Sequence, residues 1–297
     1  MSQIFAKKNT NSILTTTISN SILSATINHK GAELISLQSV DTKKEYIWEG
    51  NPQFWGKHSP ILFPIVGTLK NNSYRYKDKI YSLSRHGFAR DFVFQLITEE
   101  KNKVVFSLQD NESTFNIYPF HFELQLIYTL KKSELIVTYK VINKSTETMP
   151  FSIGAHPAFA LKNGFEKYNL QFETDENLVS YALENDLLSE NTQHIDLKNN
   201  RLPLSYSLFE NDALVFKTLK SKQIQILEND KPILNFKFDD FPNFGIWTKT
   251  NAPFICLEPW LGYADTVNAN GNILEKEGIQ LLESNSYKEF NFSMEFV

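Results

Sequence analysis

The sequence predicts an all-β fold, a sandwich or barrel of mostly antiparallel strands with few short helices. Apolar residues recur at a period of two along much of the chain, the spacing of half-buried strands. The 297 residues include 24 Phe and 12 Tyr, side chains that suit a pleated surface better than a helix. Segments with helical spacing are scarce, so short strands follow one another without the alternation of a βαβ fold.

Along the chain, residues 22–27 and 104–108 are the first short strand-like runs. The clearest alternation begins at Phe120, which shares one face with Phe122, Leu124, Leu126, Tyr128 and Leu130. Polar residues 131–134 separate it from Leu135, Val137, Tyr139 and Val141, and the two runs read as an antiparallel hairpin. Further strand-like runs are 168–172, 213–216, 223–227 and 254–257. Leu234, Phe236 and Phe238 alternate again, as do Phe290, Phe292, Met294 and Phe296. Residues 180–188 and 267–275 come nearest to a helical period. No linker, low-complexity block or fixed repeat divides the chain, so residues 1–297 read as one β domain.

The formal net charge of −4 argues against nucleic acid or an anionic membrane as partner, because both select basic surfaces. A single cysteine, Cys256, excludes an internal disulfide and CxxC-type metal sites. Residues 1–12 lack the apolar stretch of a secretory signal, and no run of about 18 apolar residues is present to span a bilayer. No Gly-rich phosphate loop is present either. The expectation is a cytoplasmic protein without metal or cofactor. Unpaired sheet edges would allow a homodimer.

Three segments set an ionisable side chain among small, aromatic or proline residues: SRHGFAR (84–90), GAHPAF (154–159) and CLEPWLG (256–262). Pro157 holds His156 extended, and Gly154 and Ala155 leave room for a close approach. Glu258 ends an apolar run, where partial desolvation raises a carboxyl group toward the range useful for a base. Taken singly, each has a plainer role. His156 can be a satisfied structural histidine, Glu258 the end of an edge strand, Arg85 and Arg90 surface charges, and Trp260 core. Cys256, two residues before Glu258 and on the same strand face, reads as packing. His29, His58, His121 and His194 lie in no comparable setting.

Six segments in order, SPILFPIVG (59–67), RHGFAR (85–90), GAHPAF (154–159), LFENDALVF (208–216), DDFPNFGIWT (239–248) and LEPWLGYAD (257–265), carry a resemblance. Together the chain, from about Ser12 on, resembles the aldose 1-epimerase (galactose mutarotase-like) superfamily. Within it the chain is most similar to the LacX-like and hexose-6-phosphate-mutarotase-like branches. The resemblance implies a many-stranded β-supersandwich and interconversion of sugar anomers. It implies that His156 is the general acid at the ring oxygen, Glu258 the general base at the anomeric hydroxyl, and His86 a hydrogen-bonding partner of the reacting end. Asp212 would accept hydrogen bonds from sugar hydroxyls, and Arg90 and Trp260 would line the cleft.

Departures are equally visible. Galactose mutarotases carry an Asn-Arg pair after the motif that here reads FPIVG, where this chain has Thr68-Leu69-Lys70, with Lys70 the stand-in for a sugar-contacting arginine. Their HGG is HGF here. The phosphosugar branch tends to an arginine where this chain has Lys57, so Lys57, Arg85 and Arg90 would together receive a 6-phosphate. The expected partner is therefore a small sugar or sugar phosphate. A non-catalytic carbohydrate-binding or sensing protein on the same scaffold is the alternative, since fold does not fix function. Hydrolysis between Glu258 and Asp239 or Asp240 would need two carboxylates flanking one bond, and the His–Glu arrangement fits anomerisation better.

Overall fold

The structure, a computed structural model, describes residues 14–297. Among the described residues two large antiparallel sheets carry the fold. The first has nine strands, in spatial order Arg201–Pro203, Tyr168–Phe172, Gln223–Glu228, Lys231–Lys237, Tyr287–Phe296, Glu134–Asn143, Phe122–Lys131, Lys103–Gln109 and Gln95–Glu100. The expected hairpin lies within it, with Leu135 opposite Leu130 and Val141 opposite Leu124. Alternate residues of both strands are buried, as a period of two requires.

The second sheet runs Leu187–Ile195, Leu178–Glu184, Leu214–Phe216, Asn243–Trp247, Phe254–Leu261, Ile153–Ala155 and Ile61–Leu62, with Ala158–Ala160 also pairing on Phe254–Leu261. Strand Phe254–Leu261 is buried along all eight residues. Both of its faces are covered. Ile255 and Leu257 join the large core that holds Leu124, Val137, Phe236 and Phe292 of the nine-stranded sheet. Phe254 and Cys256 pack with Trp48 and Ala158 on the other side, and Trp260 with Leu62, Val66 and Tyr263. Because side chains alternate along a strand, Glu258 shares the face of Cys256 and Trp260, away from the inter-sheet core.

Two segments differ from the sequence expectation. Residues 180–188 are not helical; they contain the turn of the Leu178–Glu184/Leu187–Ile195 hairpin. Asn185 and Asp186 take φ of 52° and 66°, the left-handed pair that a tight hairpin turn demands, and this turn chemistry overrides the apolar spacing. Residues 267–275 form a loop that ends in a short 3-10 turn, Ile273–Glu275, because Asn268, Asn270 and Gly271 interrupt any longer helix. No helix among the described residues is long and apolar enough to cross a membrane.

Candidate active site

The buried strand Phe254–Leu261 supplies the floor of a cleft of about 360 Å³. Glu258 stands opposite Gly245 on one neighbouring strand, and Trp260 opposite Gly154 on the other. A β-carbon at either glycine would collide with the Trp260 indole, so the two glycines let that ring lie across the sheet. The room that Gly154 leaves is thus filled by Trp260.

His156 follows strand Ile153–Ala155 and comes within 3.3 Å of the Glu258 carboxylate, Nε2 to Oε2. Both are buried, His156 at 9% and Glu258 at 2% exposure. Trp55 stacks on the imidazole at 4.8 Å and 26°, while Trp247 and His86 meet it edge-on at 5.7 and 6.0 Å. Burial against these uncharged rings sets the electrostatics. Burial pushes His156 down to about 3, with Arg85, Arg90 and Lys57 adding to the shift. Burial pushes the Glu258 carboxyl well above the usual carboxylate range, against an opposing pull from Arg85. By themselves, then, the two side chains favour a neutral imidazole beside a carboxylic acid. The imidazolium–carboxylate form holds the same number of protons and differs only in where one of them sits.

His86 is held by backbone. Its Nδ1 accepts a hydrogen bond from the Gly67 N–H at 3.1 Å, its own N–H donates to the Gly67 carbonyl at 2.8 Å, and its carbonyl accepts from Phe63 N–H at 3.2 Å. A neutral imidazole has one acceptor nitrogen, so Nε2 carries the hydrogen and can donate it to a ligand. Arg85 Nε–H also points at Nε2 from 3.3 Å, but a neutral ring accepts only one of the two bonds, and the shorter one, from the Gly67 N–H, sets this tautomer. Burial holds His86 well below the ordinary histidine range, with the His156, Arg85 and Arg90 charges adding to it, so it stays neutral. His86 takes φ 67°, a strained conformation of order 1–3 kcal/mol that the clamp sustains. Gly87 beside it has φ 70°, and a β-carbon there would run into the Phe63 carbonyl.

Lys57, Arg85, Arg90, Asp212 and Trp260 line the same cleft as His86, His156 and Glu258. Arg85 donates to Asp186 at 2.8 Å and lies 4.0 Å from Asp212. Arg90 donates from Nη2 to the Arg85 carbonyl at 2.7 Å, and its buried Nε meets no hydrogen-bond partner among the described residues. Asp212 takes φ 79° and uses one carboxylate oxygen on the Ala213 N–H at 2.8 Å.

Lys70 is the exception. Its ammonium donates to the Val267 carbonyl at 2.8 Å, its N–H to Asp265 at 2.9 Å, and it does not line the cleft. It therefore does not stand in for a sugar-contacting arginine. Asp239 and Asp240 also lie outside the lining, with Asp240 accepting from the Asn291 N–H at 2.7 Å. Sequence reasoning missed Trp55, Trp247, Asp186 and Tyr263, which complete the wall. Trp247 had a signal, since it lies in the DDFPNFGIWT segment, and the structure puts it opposite Cys256 on the neighbouring strand. The remaining histidines have structural partners: Thr16 for His29, the Trp48 carbonyl for His58, Asp110 for His121 and Asn177 for His194.

Comparison with known proteins supplies the family. A family model described as aldose 1-epimerase matches residues 15–286. The plasmid and chromosomal LacX proteins of Lactococcus lactis subsp. lactis are each 37% identical over 277 residues, covering 88% of this chain and 92% of the relative. The structure of a galactose mutarotase related enzyme from Lactobacillus acidophilus superposes with a TM-score of 0.91 at 34% identity, covering 96% of this chain and 97% of that one. A galactose mutarotase-like protein from Lactobacillus casei ATCC 334 gives 0.90 at 30% identity, over 95% and 100% of the two chains. These matches run almost the length of the molecule. The chain belongs to the aldose 1-epimerase family and is a sugar isomerase of the mutarotase type.

Proposed function

We propose that the protein interconverts the α and β anomers of a hexose or hexose phosphate by acid–base ring opening, with His156 as acid and Glu258 as base. The buried contact between these side chains, 3.3 Å in the floor of the cleft, carries the reading. Ring opening takes a proton from the hydroxyl on C1 and places one on the ring oxygen. Both oxygens are bonded to C1, so an acid and a base in contact with each other reach both. Glu258 as carboxylate removes the O1 proton while His156 as imidazolium protonates O5. The C1–C2 bond rotates, and reclosure on the other face returns both protons.

The electrostatics support this order. Once the ring is open, Glu258 holds a proton and His156 is neutral, the state that burial of the pair favours. The site is thus matched to the open-chain stage of the reaction. The Nε2–H of His86 donates to the reacting end, and Asp212 accepts from ring hydroxyls. Lys57, Arg85 and Arg90 line the cleft, and such cations suit a phosphate as well as hydroxyls.

Anomer exchange followed by NMR on glucose, galactose and their 6-phosphates tests the proposal. Acceleration by the wild type that His156→Ala lowers by about 10²–10⁴-fold supports it. Saturable sugar binding without acceleration would replace it with the binding-protein alternative.

A further inference from the structure

The sulfur of Cys256 lies beside the catalytic pair. One ring nitrogen of His156, the Cys256 thiol and a Glu258 carboxylate oxygen all fall within 4.8 Å of one another, and all three residues are buried. The adjacent cleft leaves one side of the cluster open, because His156 and Glu258 line it. We propose that His156, Cys256 and Glu258 form a tridentate site for a thiophilic divalent cation, zinc above all, whose occupancy blocks the isomerase.

Geometry, donor chemistry and charge each argue for it. Zinc takes nitrogen, sulfur and oxygen ligands at about 2.0–2.3 Å in a tetrahedron, whose edges are then about 3.3–3.8 Å. The His156–Glu258 separation of 3.3 Å already equals such an edge, and the Cys256 sulfur, within 4.8 Å of the other two ligand atoms, would close to an edge by a shift of about 1 Å. A fourth position faces the cleft, open to water or a sugar hydroxyl. A mixed nitrogen, sulfur and oxygen set selects zinc, cobalt or cadmium over magnesium and calcium. Charge balances as well. Binding releases the thiol proton and the carboxyl proton to solvent, and the two anions then cancel the 2+ charge of the metal. A neutral cluster therefore replaces a neutral cluster in a buried place.

Occupancy ties up the imidazole nitrogen and the carboxylate that move protons. The metal acts here as a reversible inhibitor, and the proposed isomerisation runs without it. Cys256 takes no part in the proposed proton transfers. The Cys256→Ala variant therefore separates metal binding from catalysis.

The full-length protein is titrated with Co²⁺ while its absorption is recorded. With one cysteine in the chain, a thiolate-to-cobalt charge-transfer band can come only from Cys256. The expected result is that band together with tetrahedral d–d transitions, saturating at one Co²⁺ per chain and displaced by Zn²⁺. Anomer exchange should fall in parallel, recover on chelation, and be unaffected by Mg²⁺. In Cys256→Ala the band should vanish, and Zn²⁺ inhibition should need at least about tenfold more metal, since even outer partners of a metal site shift affinity by about 10–100-fold. Absence of a thiolate band in the wild type overturns the site, and so does inhibition that is unchanged in Cys256→Ala. The spectra need no variant to fold and no activity, so they decide the metal site even if the isomerase reading fails.

Discussion

Two buried pairs of ionisable side chains are built in opposite ways. Lys276 and Asp265 meet at 3.1 Å with 2% and 4% side-chain exposure. Each has further partners: Asp265 accepts the Lys70 N–H at 2.9 Å, and Lys276 donates to the Tyr263 carbonyl at 2.6 Å. This pair ties the Tyr263–Ala264 wall of the cleft to the turn after Thr68. His156 and Glu258 meet at a similar distance, yet His156 Nδ1 finds no hydrogen-bond partner among the described residues, and the Trp260 indole N–H leans toward the Glu258 carboxylate without forming a well-aligned bond. A buried pair with every bond made fixes the backbone. One left short of bonds keeps its hydrogen-bonding capacity for a ligand.

The sharpest way to break this contrast is to neutralise the under-bonded pair. Glu258→Gln should lower turnover by about 10²–10⁴-fold in NMR anomer exchange. At neutral pH the same variant should unfold at a higher temperature in a calorimetric scan. The sign follows from linkage: folding raises the Glu258 pKa, so above the ordinary glutamate value the unfolded chain holds fewer protons and stability falls as pH rises toward the folded value. Gln removes that cost.

The satisfied pair should behave the other way. Lys276→Met strands a buried Asp265 carboxylate and should cost about 3–5 kcal/mol in urea unfolding. The double variant with Asp265→Leu should recover most of it. A third, smaller effect concerns the aromatic lid on the imidazole. Trp55→Ala removes a stack of about 0.5–1.5 kcal/mol and admits water, so kcat/KM should fall by about tenfold or less while the acid limb of its pH profile moves up toward the ordinary histidine value. In the wild type, pH should matter least. The pair works while it holds one proton between its members, so kcat/KM should be flat through neutrality. It should fall only toward about pH 3, where His156 takes up a second proton, and on the alkaline side, where Glu258 loses its own.

Much of the architecture was legible because half-buried strands advertise themselves. Phe122 to Leu130 could alternate so cleanly only with one face on the core. The 180–188 segment was misread because two residues, Asn185 and Asp186, decide its path through backbone conformation, which apolar spacing does not record. Within the site, His86, His156, Asp212 and Glu258 stood out through the motifs that surround them. Trp55 reaches the cleft from a loop far away in sequence, where it reads as any aromatic. Lys70 failed for a related reason: its charge looked available, but the Val267 carbonyl that takes it lies 197 residues further on.

The depth at which Glu258 and His156 lie, at 2% and 9% exposure, bears on who else can join the reaction. Under the proposed chemistry each hydrogen lifted from one sugar oxygen is handed back within the same cycle, and the books close inside the protein. Dissolved acids and bases, which speed the same change in open solution, find no seat at this exchange.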